Sequence, residues 1–246
     1  MVILGILVVS TIIIGYLLWS RVPLLRISQT LVAQSVPYEQ EPPDAAYAVL
    51  VLGDSTAVGT GATSPHDSVA GRLGAEFPNI SIENHAENGA VVRDVLGQME
   101  HAKRDTYDLI LIHMGANDVI RFKSVVQTAI STRDVLDVAR KKSEHVVFLT
   151  AGNIGAAPLF FPPLSTFYTS RALALRALNR EHTEIEGVVY VDLYADPQDD
   201  PFVQQADLYH AKDGLHPSSV GYAHWYTKIR AVLDPLLFAS TLGRDE

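Results

Sequence analysis

Three patterns in this chain predict an α/β fold: a three-layer α/β/α sandwich on a five-stranded parallel sheet, preceded by one N-terminal hydrophobic helix. Five short apolar runs lack the polar–apolar alternation of a half-exposed strand, as expected where both faces are covered. Helix-period segments separate them, which suits parallel strands joined by crossovers. The N-terminal stretch is a different material, apolar and without charge.

That stretch comes first. From Val2 to Ser20, Val, Ile and Leu dominate and no side chain is charged. As a helix it reaches about 28 Å, close to a bilayer core. Tyr16 and Trp19 stand near one end, where aromatic rings favour the membrane interface. The polar face of a soluble core helix is missing. A cleaved signal peptide would have a shorter apolar region, basic residues before it and a small-x-small site after it. Here no Lys or Arg precedes the run, and near Ala33, the candidate site, Leu31 holds a position that needs a small residue. Residues 1–20 are therefore expected as an uncleaved membrane anchor. Residues 21–45 read as a linker punctuated by Pro37, Pro42 and Pro43, in which Leu24–Val36 can form a short amphipathic helix near the membrane. Residues 46–240 are the expected globular domain.

Within it, Tyr47–Leu52, Ile80–Glu83, Asp108–His113, Val146–Thr150 and Val188–Leu193 are the expected strands. Helical patterns lie between and after them, at Asp67–Glu76, Val91–Lys103, Val119–Lys142, Phe167–Glu184 and Ser218–Leu237. Ligands of such sheets gather beyond the carboxyl ends of the strands.

Composition bounds the chemistry. A length of 246 residues, 48% of them hydrophobic, suits one domain of about 200 residues with a full core plus extra sequence. The net charge of −9 argues against a nucleic-acid partner, because phosphate binding needs an excess of Lys and Arg. The absence of cysteine removes disulfides, thiolate catalysis and Cys-ligated zinc.

Four short blocks carry the functional signal. Gly53-Asp54-Ser55 follows the first strand, Asn88-Gly89 the second, Gly115-Ala116-Asn117-Asp118 the third, and Asp213-Gly214-Leu215-His216-Pro217 comes after the fifth. All four are thereby predicted on one rim of the sheet. Gly53 lets the chain turn sharply, which puts Ser55 near backbone N–H groups that favour an oxyanion; a plain helix cap is the rival reading. Asn88-Gly89 reads as a turn, or as a bare N–H brought close to a substrate. The Asn117 amide can donate to an oxyanion, and Asp118 can cap the next helix. Asp213 and His216, three apart, can meet carboxylate to Nδ1–H, which fixes the tautomer and aims Nε2 outward as a base. Pro217 suits the first position of a helix. Together the blocks supply a nucleophile, its base, the base's orienter and oxyanion donors, the parts for acyl transfer through a serine.

Taken jointly, Val51-Leu-Gly-Asp-Ser-Thr-Ala-Val-Gly59, His113-Met-Gly-Ala-Asn-Asp118 and Asp213-Gly-Leu-His-Pro-Ser-Ser-Val-Gly-Tyr222 resemble the SGNH hydrolases, also called the GDSL esterase/lipase family. The resemblance covers residues 47–236, and its block around Gly89 is the loosest. It implies a flavodoxin-like sandwich, Ser55 as nucleophile, His216 as base and Asp213 as its orienter. The implied oxyanion hole is the N–H groups of Ser55 and Gly89 with the Asn117 amide. No metal and no organic cofactor is required.

Rival chemistries fit less well. The Gly-x-Ser-x-Gly elbow of α/β hydrolases is absent from the sequence. His210, Asp213, His216 and His224 cluster, yet a two-metal phosphoesterase needs more carboxylates and histidines arriving on separate strands than Asp54 and Asn117 supply. A non-catalytic binding module has no use for four intact blocks. A carbohydrate O-acetylesterase or an O-acyltransferase would use the same residues.

The expected substrate contacts are Asp54, beside Ser55, and Phe160, Phe161 and Phe167 in the apolar loop Pro158–Tyr168. With the anchor, that loop favours a lipid-like or short-acyl ester as partner. The stretch Asp196–Asp200 reads as a solvated loop, and Arg171 and Asn179 as helix residues supporting the site from behind. Arg21 and Arg26 argue for a cytoplasmic domain by the positive-inside rule. An exported hydrolase would lie outside, and the extracytoplasmic side is the expectation carried forward. Acyl chain, leaving group and oligomeric state are not legible in the pattern.

Overall fold

The protein is described by a computed structural model covering residues 2–150 and 152–238, with the side chains of residues 2–8, 10 and 234–238 outside the described set. The final expected domain residues, 239 and 240, lie outside the described residues, as do most side chains in the first half of the anchor.

The elements in chain order are α1 (Val2–Gln34), β1 (Tyr47–Gly53), α2 (Ser55–Val58), α3 (Val69–Glu76), β2 (Ile80–Asn84), α4 (Val95–Glu100), β3 (Leu109–Met114), α5 (Ala116–Ile120), α6 (Val125–Ala139), β4 (Val146–Thr150), α7 (Leu164–His182), β5 (Val188–Val191), α8 (Pro201–Gln204), α9 (Ala206–Tyr209) and α10 (Ser219–Phe238). The strands form one parallel sheet in the order β2-β1-β3-β4-β5. Period-2 geometry sends successive residues to opposite faces. Val49 and Val51 join one core with Leu109, Leu111, Leu73 of α3 and Tyr222 and Ile229 of α10. Leu50 and Leu52 join the other with Ile110, Ile112, Met99 of α4 and Leu136 of α6. Both faces of β1 and β3 are therefore dry, which is why these two strands carry no polar alternation.

After β1 the chain adds β2 on one side, then returns to add β3 on the other. The connections leave β1 in opposite directions, which opens a crevice beyond its carboxyl end, the usual ligand position in this architecture.

Three expectations need correction. The N-terminal helix does not stop at Ser20 but runs on to Gln34, so the short helix expected over Leu24–Val36 is its continuation and not a separate element. Pro23 lies inside this helix and, having no N–H, cannot donate to the carbonyl four residues before it. Its Thr11–Gln34 portion is long and apolar enough to cross a membrane, and none of that window is buried in the protein. The single helix expected over Val119–Lys142 is two, α5 and α6, broken at Arg121–Ser124, where Phe122 has φ of 56° and Ser124 Oγ caps α6 by accepting the Gln127 N–H. Finally, α10 begins two residues beyond Pro217, which instead pairs with His210 in an antiparallel bridge.

Candidate active site

Ser55 opens α2, a single turn leaving β1 at Gly53. Gly53 has φ of 137°, and a Cβ there would lie 1.9 Å from the His113 carbonyl oxygen, so the turn admits no side chain. Gln98 holds it from α4: its Oε1 accepts the Gly53 N–H at 2.8 Å and its Nε2 donates to the Gly53 oxygen at 2.9 Å.

Asp54 caps α2, its Oδ1 accepting the Thr56 N–H at 2.9 Å and the Thr56 hydroxyl at 2.6 Å. Capping turns the carboxyl inward, where it is fully buried and forms no part of the pocket wall. The expected substrate contact at Asp54 is thus a structural cap. Burial pushes this carboxyl up to about 6, against the opposing effect of the Thr56 bonds. Its Oδ2 has no hydrogen-bond partner.

The loop after α9 brings its two residues to the same place. His216 Nε2 lies 3.0 Å from Ser55 Oγ, and His216 Nδ1 lies 2.6 Å from Asp213 Oδ2. The other carboxylate oxygen, Oδ1, accepts the N–H groups of Leu215 at 3.0 Å and His216 at 3.1 Å. Burial alone would raise the Asp213 carboxyl, but the bond and charge of His216 with these two N–H groups outweigh it and hold it below the usual range. Leu159 N–H donates to the Gly214 oxygen at 2.9 Å, and Ala211 N–H to the His216 oxygen at 2.8 Å, so the loop is pinned from two sides.

Asn117 lies in the first turn of α5 and on the pocket wall. One of its amide hydrogens goes to the Ala90 oxygen at 3.0 Å. Next to it, Asp118 Oδ2 accepts the Val92 N–H at 2.9 Å, so Asp118 does not cap the following helix as its position suggested. The pair instead fastens the loop after β2 to α5. Gly89 occupies the turn of that loop at φ of 82°, and a Cβ on it would come 2.9 Å from Arg121 Nη2. The structure thus gathers Ser55, Asn117 and His216 on one pocket, with Asp213 buried behind His216 and Gly89 in the loop bound to Asn117.

The pocket is a small cleft with a cavity volume of about 60 Å³, and its apolar wall is made by Ile120, Ile154, Leu193, Phe202, Leu215 and Trp225. Asn153, Asp200 and His210 add polar groups. Phe160, Phe161 and Phe167 are not on this wall, which corrects their expected role. Tyr168 takes the inward position at the start of α7, Phe160 packs against it at 4.6 Å between ring centres, and Phe167 turns outward beside Phe122 at 5.6 Å. Phe161 lies under the Arg21 guanidinium.

Sequence reasoning missed Phe202 and Trp225. Asp200 is a buried cap accepting the Phe202 N–H at 2.9 Å, not part of a solvated loop, and Asp200-Pro201 was a readable helix start that would have aimed Phe202 inward. The Arg171 guanidinium donates to the oxygens of Val119 and Asp118 in α5 and of Lys123 just after it. Asn179 is buried without a side-chain partner. Among the described residues, no group of three or more His, Asp or Glu is arranged to hold a metal ion.

Comparison with known proteins gives this geometry its family. The family model of the GDSL-like lipases/acylhydrolases matches residues 51–224. A lipolytic G-D-S-L family protein from Veillonella parvula aligns with a TM-score of 0.59 at 19% identity, covering 76% of this chain and 98% of its own. Phospholipase A1 from Streptomyces albidoflavus aligns with a TM-score of 0.58 at 18% identity, covering 76% and 99%. An acetylxylan esterase from Geobacillus stearothermophilus aligns with a TM-score of 0.51 at 19% identity, covering 78% and 95%. No curated protein matches the chain. At these identities the solved structures share the fold, and it is the family match, spanning most of the chain and all four blocks, that assigns membership: the protein belongs to the GDSL-like lipase/acylhydrolase family and is a carboxylic ester hydrolase of that type.

Proposed function

We propose that this protein hydrolyses carboxylic esters or thioesters of lipid-like or short-acyl compounds through an acyl-enzyme on Ser55, held at a membrane by its N-terminal helix. The observation that carries the reading is the continuous relay from Ser55 Oγ through His216 to Asp213, at 3.0 Å and 2.6 Å, opening on an apolar pocket.

Ser55 Oγ attacks the acyl carbon as His216 Nε2 takes its proton. Asp213 holds Nδ1–H and stabilises the imidazolium that forms. Negative charge develops on the carbonyl oxygen and is met by the N–H groups of Ser55 and Gly89 and the second amide hydrogen of Asn117, fixed in place before the reaction. His216 then returns the proton to the departing alcohol or thiol. A water enters, His216 activates it, and the acid leaves. The wall of Ile120, Ile154, Leu193 and Trp225 supports an acyl chain as its occupant, in keeping with the phospholipase among the fold's relatives. The exposed apolar helix supports the anchor.

The test is hydrolysis of p-nitrophenyl acetate, butyrate and octanoate by the full chain in detergent micelles, with Ser55→Ala and EDTA in parallel. Turnover abolished in folded Ser55→Ala and untouched by EDTA is expected, with butyrate or octanoate preferred over acetate. A folded Ser55→Ala enzyme that keeps its activity, or an activity removed by EDTA, overturns the serine mechanism.

A further inference from the structure

Three polar side chains on the pocket wall, Asn153, Asp200 and His210, have no part in the relay from Ser55 to Asp213. His210 is held on two sides. Its Nδ1 lies 3.2 Å from the Ala206 oxygen, and a carbonyl only accepts, so the ring proton is on Nδ1. Its ring meets Phe202 edge to face, 5.1 Å between centres. Nε2 is left as a bare acceptor, and none of the described residues donates to it. The residue is only 8% exposed. Burial pushes the imidazole below the ordinary histidine range, against the opposing effects of the Ala206 bond and Asp213, so Nε2 stays unprotonated. Asp200, two residues before Phe202, is a second acceptor. Its Oδ1 takes the Phe202 N–H at 2.9 Å, and its Oδ2 has no donor among the described residues although the residue is 4% exposed. Asn153 has the opposite polarity. Its Oδ1 accepts the Thr169 hydroxyl at 2.8 Å, which leaves its NH₂ to donate.

The proposed mechanism says which half of a substrate meets these groups. His216 Nε2 returns its proton to the leaving oxygen, so the alcohol half lies on the His216 side of the acyl carbon. His210 flanks that side: it pairs with Pro217, next to His216, in an antiparallel bridge, and the Ala211 N–H donates to the His216 oxygen at 2.8 Å. The oxyanion side belongs to Asn117, and Ile120, three residues on along α5, continues from it as apolar wall. Phe202 joins the two halves, its ring stacked on Trp225 at 5.1 Å and meeting His210 at its edge. A hydrocarbon or aryl alcohol bound there would cover His210 Nε2 and Asp200 Oδ2 and leave both acceptors unpaired and dry, which costs binding energy.

We infer that the alcohol half of the substrate carries free hydroxyl groups beside the ester oxygen, which donate to His210 Nε2 and Asp200 Oδ2, so that the leaving group is a polyol. The inference rests on the esterase reading given above and adds the class of alcohol to it. The Asn153 NH₂ can donate to the oxygen of such a hydroxyl, so the three groups together match O–H, which both gives and accepts. A quaternary ammonium alcohol has no hydrogen to give His210 Nε2. Glycerol and a sugar both supply the required chemistry, a hydroxyl on the carbon next to the esterified one.

The test is kcat/KM of the full chain in detergent micelles, by titration of the released acid, on four butyrate esters: 1-butyrylglycerol, methyl 2-O-butyrylglucoside, propyl butyrate and butyrylcholine. Ser55→Ala is the control. One of the two hydroxylated esters should exceed propyl butyrate by about tenfold, the scale of one buried hydrogen bond. Whichever of them leads names glycerol or a sugar as the source. In Asp200→Asn the amide oxygen can keep the Phe202 N–H while an NH₂ replaces Oδ2, so an acceptor becomes a donor on the same cap. His210→Phe keeps a ring against Phe202 and removes the other acceptor. In each variant the preference for the hydroxylated ester over propyl butyrate should fall about tenfold. A parent enzyme that cleaves propyl butyrate as well as both hydroxylated esters overturns the inference and leaves the serine esterase standing, as does a preference that survives in folded Asp200→Asn and His210→Phe. A lead for butyrylcholine assigns these groups to a cation and overturns the inference too. No turnover of any ester, or turnover that persists in Ser55→Ala, overturns the esterase reading and the inference with it.

Discussion

Replacing Asp213 with asparagine tests the proposed relay atom by atom. Asp213 Oδ1 accepts two backbone N–H groups, from Leu215 at 3.0 Å and His216 at 3.1 Å. In Asp213→Asn only the amide oxygen can take that place, because an NH₂ there would face two donors. The NH₂ must then point at His216 Nδ1, where Oδ2 stands now at 2.6 Å. An amide donates, so Nδ1 becomes the acceptor and the proton moves to Nε2. That nitrogen sits 3.0 Å from Ser55 Oγ and, once protonated, can no longer accept the serine proton. Shape and packing are unchanged while the tautomer is wrong. The corresponding substitution in the serine-protease triad costs about 10⁴ in kcat, about 5.5 kcal/mol of barrier. The same order is expected here, with KM for p-nitrophenyl butyrate within a few-fold of the parent and an unchanged thermal transition. A loss below about tenfold would mean that Asp213 does not set the tautomer. A large loss with a collapsed transition would mean that it acts on the fold.

Other substitutions separate the roles of the rim. Asn117→Ala removes one oxyanion donor and should lower kcat by about 10²–10³ with little change in KM; an unaffected kcat in stopped-flow assays would take Asn117 out of the oxyanion hole. Asp54→Asn should change how stability follows pH. The folded carboxyl titrates near 6 and the free one at 3.8, so its contribution is full below 3.8 and is lost as pH rises through about 6. Asparagine can still accept both Thr56 bonds and carries no charge, so its stability relative to the parent should rise by about 3 kcal/mol between acid and pH 8. Urea midpoints for the two proteins that run parallel across that range would refute the buried charged carboxyl. Gly53→Ala must push a methyl into the His113 carbonyl, parting β1 from β3, and should cost at least about 3 kcal/mol by the same denaturation assay; a loss near 1 kcal/mol would mean the turn relaxes.

What could be read from the sequence, and what could not, divides by the range of the interaction. Ser55, Asn117 and the Asp213–His216 pair were legible because each is set by its own few residues: a glycine turn out of a buried strand, an amide at a helix start, two side chains one loop turn apart. Parallel strands then bring those local devices to one edge with no further information. The pocket wall follows a different rule. Phe160, Phe161 and Phe167 form the conspicuous aromatic run, but Tyr168 claims the inward position, Phe160 packs on it, Phe161 lies under Arg21 of α1 and Phe167 turns out beside Phe122. The wall falls instead to Phe202 and Trp225, whose rings stack at 5.1 Å although they come from α8 and α10. Asp54 misled for a related reason. Beside the nucleophile it looks like a contact for substrate, and only the Thr56 hydroxyl and N–H, two residues on, turn it inward as a cap. The helix over Leu24–Val36 was legible, but its fusion with the anchor through Arg21–Pro23 was hidden, since that stretch packs on Phe161, a partner far away in sequence. Residues whose chemistry is local announce themselves, whereas those that shape access to the serine are chosen by packing between distant segments. The acyl selectivity of this enzyme should therefore respond most to Phe202 and Trp225, the parts of the pocket wall with no sequence motif of their own.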